Sequence, residues 1–328
     1  MLPDYHGRIR TGNENSTRGV RLRDGAAAAF TTSIDATMPG LLELRAMPVT
    51  LERIYRYPVK GLPGEALEAV PLVVGQGLPS DRRFAIARGD TRPAAGSPAW
   101  LPKQWFVMLM KDTALARLVP RIDWDARTIE LGAPGASPCV ARFDTAEGRR
   151  RIDDYVNQLL GTRREGPARW VESSEVSYTD VPQNCVSLVN LESVRELEAR
   201  MACRIDPRRF RANFYLGGVA PWADFDWIGQ EIRIGDAILR IPSRIPRCAA
   251  TGVNPDSGAR DVNVVKGLRA AYGHYDMGVY GEVLRAGRVA VGDVVVPPDG
   301  PRPHSSAGHW LRFFGFLARG APNVFARR

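Results

Sequence analysis

The stretch VTLERIYRYPV, residues 49–59, alternates apolar and polar side chains, and this period of two is typical of a half-buried β-strand. Similar short runs follow it, with turn residues between them: LEAVPLVV (67–74), RRFAIA (82–87), ARLVPRI (116–122) and VARF (140–143). Many short strands separated by turns predict a mostly-β domain. The run RRRIDDYVNQLL (149–160) has helical spacing and closes this half of the chain.

A second group of elements begins near Arg169. CVSLVN (185–190) is predicted to be a strand, and Asn190 is predicted to cap a helix, because acidic residues fill the opening turn of LESVRELEARM. The other predicted elements are a strand entered from 208–218, a hairpin over 231–241, a helix over 262–272 and a last hairpin over 283–296. The fold class is therefore α+β, mostly β with a few helices, with barrel-like cores in two parts.

Composition along the chain predicts four segments. Residues 1–46 carry no sustained apolar periodicity and are expected to be a disordered extension. Two domains follow, over 47–168 and 169–298, and a tail covers 299–328. The tail contains the aromatic run GHWLRFFGFLARG, for which packing on its own domain or disorder is favoured over contact with a membrane surface.

Charge and cysteine content argue against nucleic-acid binding and against metal or redox sites built from cysteine pairs. The 328 residues carry a net charge of +9, which fits either an arginine-rich soluble protein or a basic pocket for an anionic ligand. The sequence contains no basic stripe interleaved with aromatic residues, so nucleic-acid binding is not indicated. No C-x-x-C pair occurs among the four cysteines, which argues against zinc ribbons, iron–sulfur clusters and redox dithiols. No long apolar run or secretory-type opening is present, so a reducing cytoplasm is expected.

The segment SRIPRCAATGVNPDSGARD, residues 243–261, carries the clearest chemical signal. Cys248 is flanked by Arg244 and Arg247, and nearby cations favour the thiolate, which is the nucleophilic and metal-binding form. NPDSG (254–258) is predicted to be a tight turn that holds the loop after the cysteine. Taken alone, the pattern leaves an alternative open, because a single cysteine in a β-rich domain is more often a small buried apolar residue.

Several ordered motifs together resemble the MOSC domain of molybdenum-cofactor sulfurases and amidoxime-reducing component proteins, with the β-barrel domain that precedes MOSC in that family. The resemblance covers about residues 48–298. Its motifs are YPVKG (57–61), DRRFAI (81–86), QWFVMLMKDTALARL (104–118), FRANFYL (210–216), RCAATGVNPDSGARD (247–261) and VYGEVLRAGRVAVGDVV (279–295).

The resemblance implies a site for the molybdenum cofactor, a molybdopterin. It makes Cys248 the molybdenum ligand and the catalytic residue. The implied cofactor-binding residues are Lys60, Arg82, Arg211, Asn213, Gln183, Asn184 and Arg247. The basic members suit a pterin phosphate, because phosphate is bound by arginine forks and by the point charge of lysine. Gln183 and Asn184 belong, with Asp180, to a loop where the correspondence is loose.

The sequence departs from the family pattern at two points. Gly61 follows the motif lysine and removes a possible hydroxyl contact. No cysteine follows Cys248 in the sequence, so its tail is not expected to bind an iron–sulfur cluster through thiolates. The stretch before residue 48 is too short for a pyridoxal-phosphate domain, so that cofactor is not expected.

The resemblance implies an oxidoreductase that removes oxygen from N-hydroxylated small molecules. Its electrons would come from a separate ferredoxin- or cytochrome-like donor and the reductase of that donor. Two alternatives stay open: a sulfur carrier that uses a persulfide on Cys248, and a non-catalytic carrier of the cofactor.

Overall fold

A computed structural model describes residues 48–91, 100–162, 165–173 and 176–298. The segment 1–46, which is predicted to be a disordered extension, lies outside the described residues, as does Met47. The tail 299–328, for which packing on its own domain or disorder is predicted, also lies outside them. Across the described residues, no helix is long and apolar enough to cross a membrane.

Strands dominate the described part of the chain. They are β1 (Thr50–Arg56), β2 (Glu65–Leu67), β3 (Ala69–Leu72), β4 (Phe84–Ala87), β5 (Val119–Asp123), β6 (Thr128–Gly132), β7 (Cys139–Arg142), β8 (Arg169–Glu172), β9 (Val186–Asn190), β10 (Phe214–Gly217), β11 (Glu231–Ile234), β12 (Ala237–Arg240), β13 (Arg244–Pro246), β14 (Asp276–Arg285), β15 (Gly287–Ala290) and β16 (Val295–Val296). The helices are α1 (Ala146–Leu160), α2 (Leu191–Met201) and α3 (Val264–Tyr272). The predicted α+β class, mostly β, is confirmed.

The largest sheet curls into a half-barrel and joins the two halves of the chain. Its strand order is β16-β11-β12-β14-β9-β10-β1-β2, with β13 paired to β14. β1 and β2 come from the first half, and β1 pairs antiparallel with β10 of the second half. β8, which starts at the predicted domain boundary, pairs back with β4. The boundary at residue 168 stays a prediction, and strand pairing crosses it in both directions.

Local sequence signals explain the well-predicted elements. Asn190 caps α2 as predicted, since its side-chain carbonyl accepts a hydrogen bond from the Glu192 amide at 2.9 Å. β11 and β12 form the predicted hairpin, with Gly235 at φ +53° in the two-residue turn. The predicted hairpin over 283–296 is wrong. β14 ends beside β12, whereas β15 pairs with β3 and β16 pairs with β11, because strands distant in sequence supply those edges.

Each half has its own apolar core. The first-half core packs β4, β6, β7 and α1 around the stacked rings of Phe84 and Trp170, whose centroids lie 4.9 Å apart. The second-half core lies within the large sheet and includes Leu51 and Ile54 of β1.

Asp224 is a buried carboxylate that makes stability depend on pH. Its side chain is 1% exposed; Oδ1 accepts from the Asn190 amide nitrogen at 3.4 Å, and Oδ2 has no hydrogen-bond partner among the described residues. Burial raises the pKa of Asp224 to about 6. Because this folded-state pKa lies above the unfolded value of roughly 3.9, the folded form binds the proton first. The free energy of unfolding should therefore fall as pH rises from about 4 to above 6.

Asp224→Asn should remove this penalty, since a neutral amide needs no proton to stay buried. We expect it to raise the free energy of unfolding by about 1–3 kcal/mol at pH 8 and by little at pH 4. Urea denaturation at both pH values measures the difference. The control is Asp125→Asn, because Asp125 is exposed and is not among the charges that act on Asp224. Equal effects of Asp224→Asn at pH 4 and pH 8 would contradict the assignment.

Candidate functional site

Four cationic side chains from distant segments lie together next to the Cys248 loop. Arg82 donates from Nη2 to the Arg211 carbonyl oxygen at 2.8 Å. Arg247 donates from Nη1 to the carbonyl oxygen of Phe210, directly before Arg211, at 2.7 Å. Burial is the largest cause that lowers the pKa of Lys60, and the charges of Arg82 and Arg211 lower it further, so Lys60 lies near both. The structure thus brings together Lys60, Arg82, Arg211 and Arg247, hereafter the basic cluster.

Hydrogen bonds connect the backbone at Tyr57 with the backbone at Asp81 and Arg82, and these two segments carry part of the cluster. The Tyr57 amide donates to Oδ1 of buried Asp81 at 2.8 Å, and the Arg82 amide donates to the Tyr57 carbonyl at 2.7 Å. Arg82 and Arg211 both adopt left-handed backbone conformations, with φ of +49° and +52°. Such angles are uncommon outside glycine and are often found where the surrounding structure holds a functional side chain.

The Tyr57 ring lies against two of the guanidinium groups. The central carbons of Arg82 and Arg211 lie over it, 4.7 and 4.4 Å from the ring centroid. An aromatic face attracts cations, and this attraction is stronger where water is excluded. Tyr57 therefore stabilises two buried like charges at short range. Sequence reasoning did not single it out, although it opens the Y-P-V-K motif.

Lys60 is held by an acidic partner at the edge of the site. Its Nζ donates to Oδ1 of Asp180 at 2.5 Å and to the Tyr178 carbonyl at 2.7 Å. Burial would raise the pKa of Asp180, but Lys60 outweighs it and the pKa is lowered. Lys60 is therefore tethered at the edge of the site by a carboxylate that is half exposed.

Arg211 has a buried donor nitrogen that no described residue accepts. Its Nη2 is buried and has no hydrogen-bond partner among the described residues. Burial, with a contribution from Arg82, lowers the pKa of Arg211 to about 10, so the group remains charged at neutral pH. Buried polar groups are nearly always satisfied in native proteins. An orphaned guanidinium nitrogen in a cationic site therefore points to an anionic or acceptor-bearing ligand.

The Cys248 loop is a tight structure at the edge of β13. Cys248 is half-buried, and its carbonyl oxygen accepts from both the amide (3.1 Å) and the hydroxyl (2.9 Å) of Thr251. NPDSG forms the predicted turn, since Oδ1 of Asn254 accepts from the amides of Asp256 and Ser257. The thiol is therefore carried by a short loop with hydrogen bonds at both ends.

The two arginines that flank Cys248 in sequence face different surroundings. Arg247 lies beside the thiol, where the charge of Cys248 is among the influences on its pKa, which burial lowers. Arg244 instead places its guanidinium over the Phe225 ring, 4.3 Å from the centroid. Arg244 lies in β13, whereas Arg247 follows the end of that strand, so the two side chains take different directions.

The three remaining candidate residues occupy less direct positions. Asn213 is 1% exposed, and its side chain accepts from Ser187 and donates to the Tyr55 carbonyl at 3.2 Å. Its amide therefore ties β9 and β1 together. Gln183 and Asn184 are exposed in the segment before β9. Contacts of these three residues with a cofactor stay predictions.

A cavity of about 250 Å³ adjoins the basic cluster and lies between the two halves of the chain. Tyr55 and Leu109 of the first half and Val253 of the Cys248 loop contribute to its walls, and Arg209 and Arg211 line it with charge. Sequence reasoning missed Arg209. The run of three arginines at 208, 209 and 211 was its only signal, and burial could not be deduced from that run.

No group of three or more histidine, cysteine or acidic side chains in the described residues could hold a metal ion. Cys248 could therefore supply one thiolate ligand, and further ligands would have to come from a bound cofactor. This donor set, one soft sulfur beside several cations, fits an anionic cofactor that brings its own metal ligands.

Residues 175–296 match the family model of the MOSC domain. Among curated proteins, the chain is 28% identical over 172 residues to mitochondrial amidoxime-reducing component 1 of Mus musculus, and this match spans 49% of each chain. It is 23% identical over 282 residues to mitochondrial amidoxime reducing component 2 of Bos taurus, which covers 75% of this chain and 82% of that one. The chain thus spans about half the length of the mouse relative.

Two solved structures are also similar. The YuaD protein from Bacillus subtilis is 17% identical with a TM-score of 0.37, over 76% of this chain and 94% of that one. YiiM from Geobacillus stearothermophilus is 19% identical with a TM-score of 0.27, over 35% and 54%. Likeness at this level supports no statement about activity.

Proposed function

Because residues 175–296 form a MOSC domain, we propose that this chain binds a molybdenum cofactor and reduces N-hydroxylated small molecules with electrons from a separate donor protein. The amidoxime-reducing names of the curated relatives favour this reaction over the alternatives. The observation that carries the proposal is the basic cluster, in which Arg211 has an orphaned nitrogen and Arg247 lies beside the Cys248 thiol.

The residues present fit the group. Arg211 supplies a forked donor and Lys60 a point charge, which is the chemistry that binds a phosphate. Arg82 adds positive charge, since its two Nη groups donate to Asp81 and to the Arg211 carbonyl. Cys248 supplies a soft thiolate on a rigid loop. Arg247 uses its donors on the carbonyls of Phe210 and Met277, so it orients the loop and adds positive charge. Its assigned role is electrostatic, without direct hydrogen bonds to the cofactor.

When bound, the cofactor supplies a molybdenum centre that exchanges two electrons and an oxygen atom with the substrate. Overall, an N-hydroxyl group, two electrons and two protons yield the N–H compound and water. The protein would bind and orient this group: the basic cluster would neutralise its anionic end, and Cys248 would supply one thiolate ligand to the metal. We expect the two electrons to come from a separate donor protein; the given sequence carries no dinucleotide-binding fingerprint.

Metal and pterin analysis of protein expressed in a host that makes the cofactor tests the proposal. We expect about one molybdenum and one pterin per chain. With a chemical reductant as the electron source, the loaded protein should reduce a hydroxylamine, whereas NADH alone should not support turnover. Protein from such a host without molybdenum would refute the proposal. A stable persulfide on Cys248 in metal-free protein would favour the sulfur carrier, and loaded protein without turnover would favour the cofactor carrier.

A further inference from the structure

An exposed arginine connects the loop that carries Cys248 with a cationic segment of the first half. Arg260 donates from Nη2 to the Met110 carbonyl oxygen and from Nη1 to the carbonyl oxygen of Ala249, the latter at 3.4 Å. Ala249 is exposed and directly follows Cys248, and Lys111, also exposed, directly follows Met110. The charges of Arg260 and Lys111 are therefore both next to the thiol loop.

A third exposed cation, Arg117, lies against the Asn-Pro-Asp-Ser-Gly turn of the same loop. A Cβ placed on Gly258 of that turn would be 3.4 Å from Cδ of Arg117 and 3.0 Å from the Thr113 carbonyl oxygen. Gly258 has φ of +73°, which glycine adopts readily, so the two segments approach without a side chain between them. The side chains of Lys111, Arg117 and Arg260, hereafter the cationic rim, thus belong to two segments in contact.

The charges of the cationic rim have no carboxylate partner among the described residues. Other exposed arginines of this protein form ion pairs, as Arg121 does with Glu130 at 2.7 Å and Arg240 does with Glu282 at 2.5 Å. Exposed charges of one sign that are not neutralised locally attract molecules of the opposite sign. The cationic rim therefore favours an anionic partner.

Apolar residues of the same two segments indicate that this partner is a protein. Met108 and Met110 are half-buried in the first-half segment, and Pro246 and Ala249 are exposed on either side of the cysteine. Protein interfaces combine an apolar centre with a polar rim and are enriched in methionine and arginine. This surface fits a protein that presents acidic side chains around an apolar centre.

We propose that the cationic rim is the docking surface for the electron donor, and that this donor is a small redox protein with an acidic face. The inference rests on the proposed function, which requires a donor, and adds where the donor binds. Docking here brings the redox group of the donor next to the thiol loop, since exposed Ala249 directly follows Cys248. Opposite charges steer such an encounter and raise its rate, and salt weakens the steering.

Charge reversal at the cationic rim tests the proposal. The variant Lys111→Glu/Arg117→Glu leaves Arg260 in place, because Arg260 also holds the loop after β13. The matched control is Arg233→Glu/Arg288→Glu, which changes the net charge equally at exposed positions of β11 and β15. The protein donors are an acidic [2Fe–2S] ferredoxin and an acidic flavodoxin, both kept reduced by an NADPH-dependent reductase. Reduced methyl viologen is the third donor, a small cation that needs no docking surface.

We expect the rim variant to reduce a hydroxylamine with a kcat/KM for the protein donor about tenfold lower at low salt, and the control to stay within about twofold of wild type. Turnover with methyl viologen should match wild type in both variants. Calorimetry of the oxidised donor with the purified full-length protein should show the same order of binding. If the reversal does not fold, the neutral variant Lys111→Gln/Arg117→Gln should show a loss of about threefold.

Equal losses in the rim and control variants overturn the docking surface, and so does a wild-type rate that does not fall with added salt. Wild-type protein that neither binds nor takes electrons from either acidic donor also overturns it. Loss of methyl viologen turnover in the rim variant would mean that the substitutions damage the site itself, which counts against a docking role. Wild-type protein that binds the acidic donors but shows no turnover with methyl viologen would refute the proposed function and leave the docking surface standing.

Discussion

Cys248→Ser is expected to fold normally and to lose both bound molybdenum and the reduction of N-hydroxylated compounds. A serine hydroxyl stays protonated near neutral pH and is a hard ligand, so it replaces the soft anionic thiolate poorly. The loop itself should survive, because its hydrogen bonds use the Cys248 carbonyl and not the sulfur. We expect less than about a tenth of the wild-type molybdenum, with pterin partly retained through the basic cluster.

Metal analysis and turnover with a chemical reductant measure this result. Cys203→Ser is the matched control, because Cys203 is also half-buried but lies outside the site. It should keep wild-type metal content and activity. Cys185 is a poorer control, since it is buried and burial raises its pKa to about 12, so that serine there costs packing. Undiminished reduction by Cys248→Ser would end the oxidoreductase interpretation.

Arg211→Ala is expected to weaken retention of the cofactor by about 1–3 kcal/mol, or roughly tenfold to a hundredfold in the dissociation constant. The substitution removes the orphaned Nη2 donor and the charge that lies over Tyr57. It also removes a buried cation whose pKa is depressed, so the apo protein should lose little stability. Arg211→Lys should restore part of the affinity, since a point charge replaces a forked donor.

Pterin content after dialysis and urea denaturation of the apo protein measure the two effects separately. Arg83→Ala is the control, because Arg83 also lies over aromatic rings but has its own carboxylate partner, Glu172, at 2.6 Å. It should leave pterin retention unchanged. Equal loss of pterin in both variants would mean that general stability, and not the Arg211 contact, governs retention.

The chemistry of the site was accessible from the sequence where motifs are short and local. The spacing of apolar residues predicted β1 and α1, and the capping pattern predicted α2, because these signals act within one element. The Asn-Pro-Asp-Ser-Gly turn was predicted for the same reason: its hydrogen bonds connect residues two or three apart. The basic residues assigned by family resemblance lie in one cluster, although their contacts with a cofactor stay predictions.

Pairing and burial could not be obtained in this way. The hairpin predicted over 283–296 is wrong because β15 pairs with β3, which lies more than about two hundred residues earlier in the chain. No local sequence signal encodes a pairing between strands so far apart. Arg244 and Arg247 look equivalent in sequence, yet strand geometry turns one to Phe225 and the other to Cys248.

Residue types at fixed short spacings are enough to predict the fold class, the resemblance to MOSC proteins and the cysteine on which the proposal depends. Which charges have partners could be read only from the folded structure. Asp261 pairs with Nη2 of Arg209, Asp180 tethers Lys60, and Arg211 keeps a buried nitrogen without a described partner. Charge satisfaction depends on distances between segments far apart in the chain, and those distances exist only once the strands have paired.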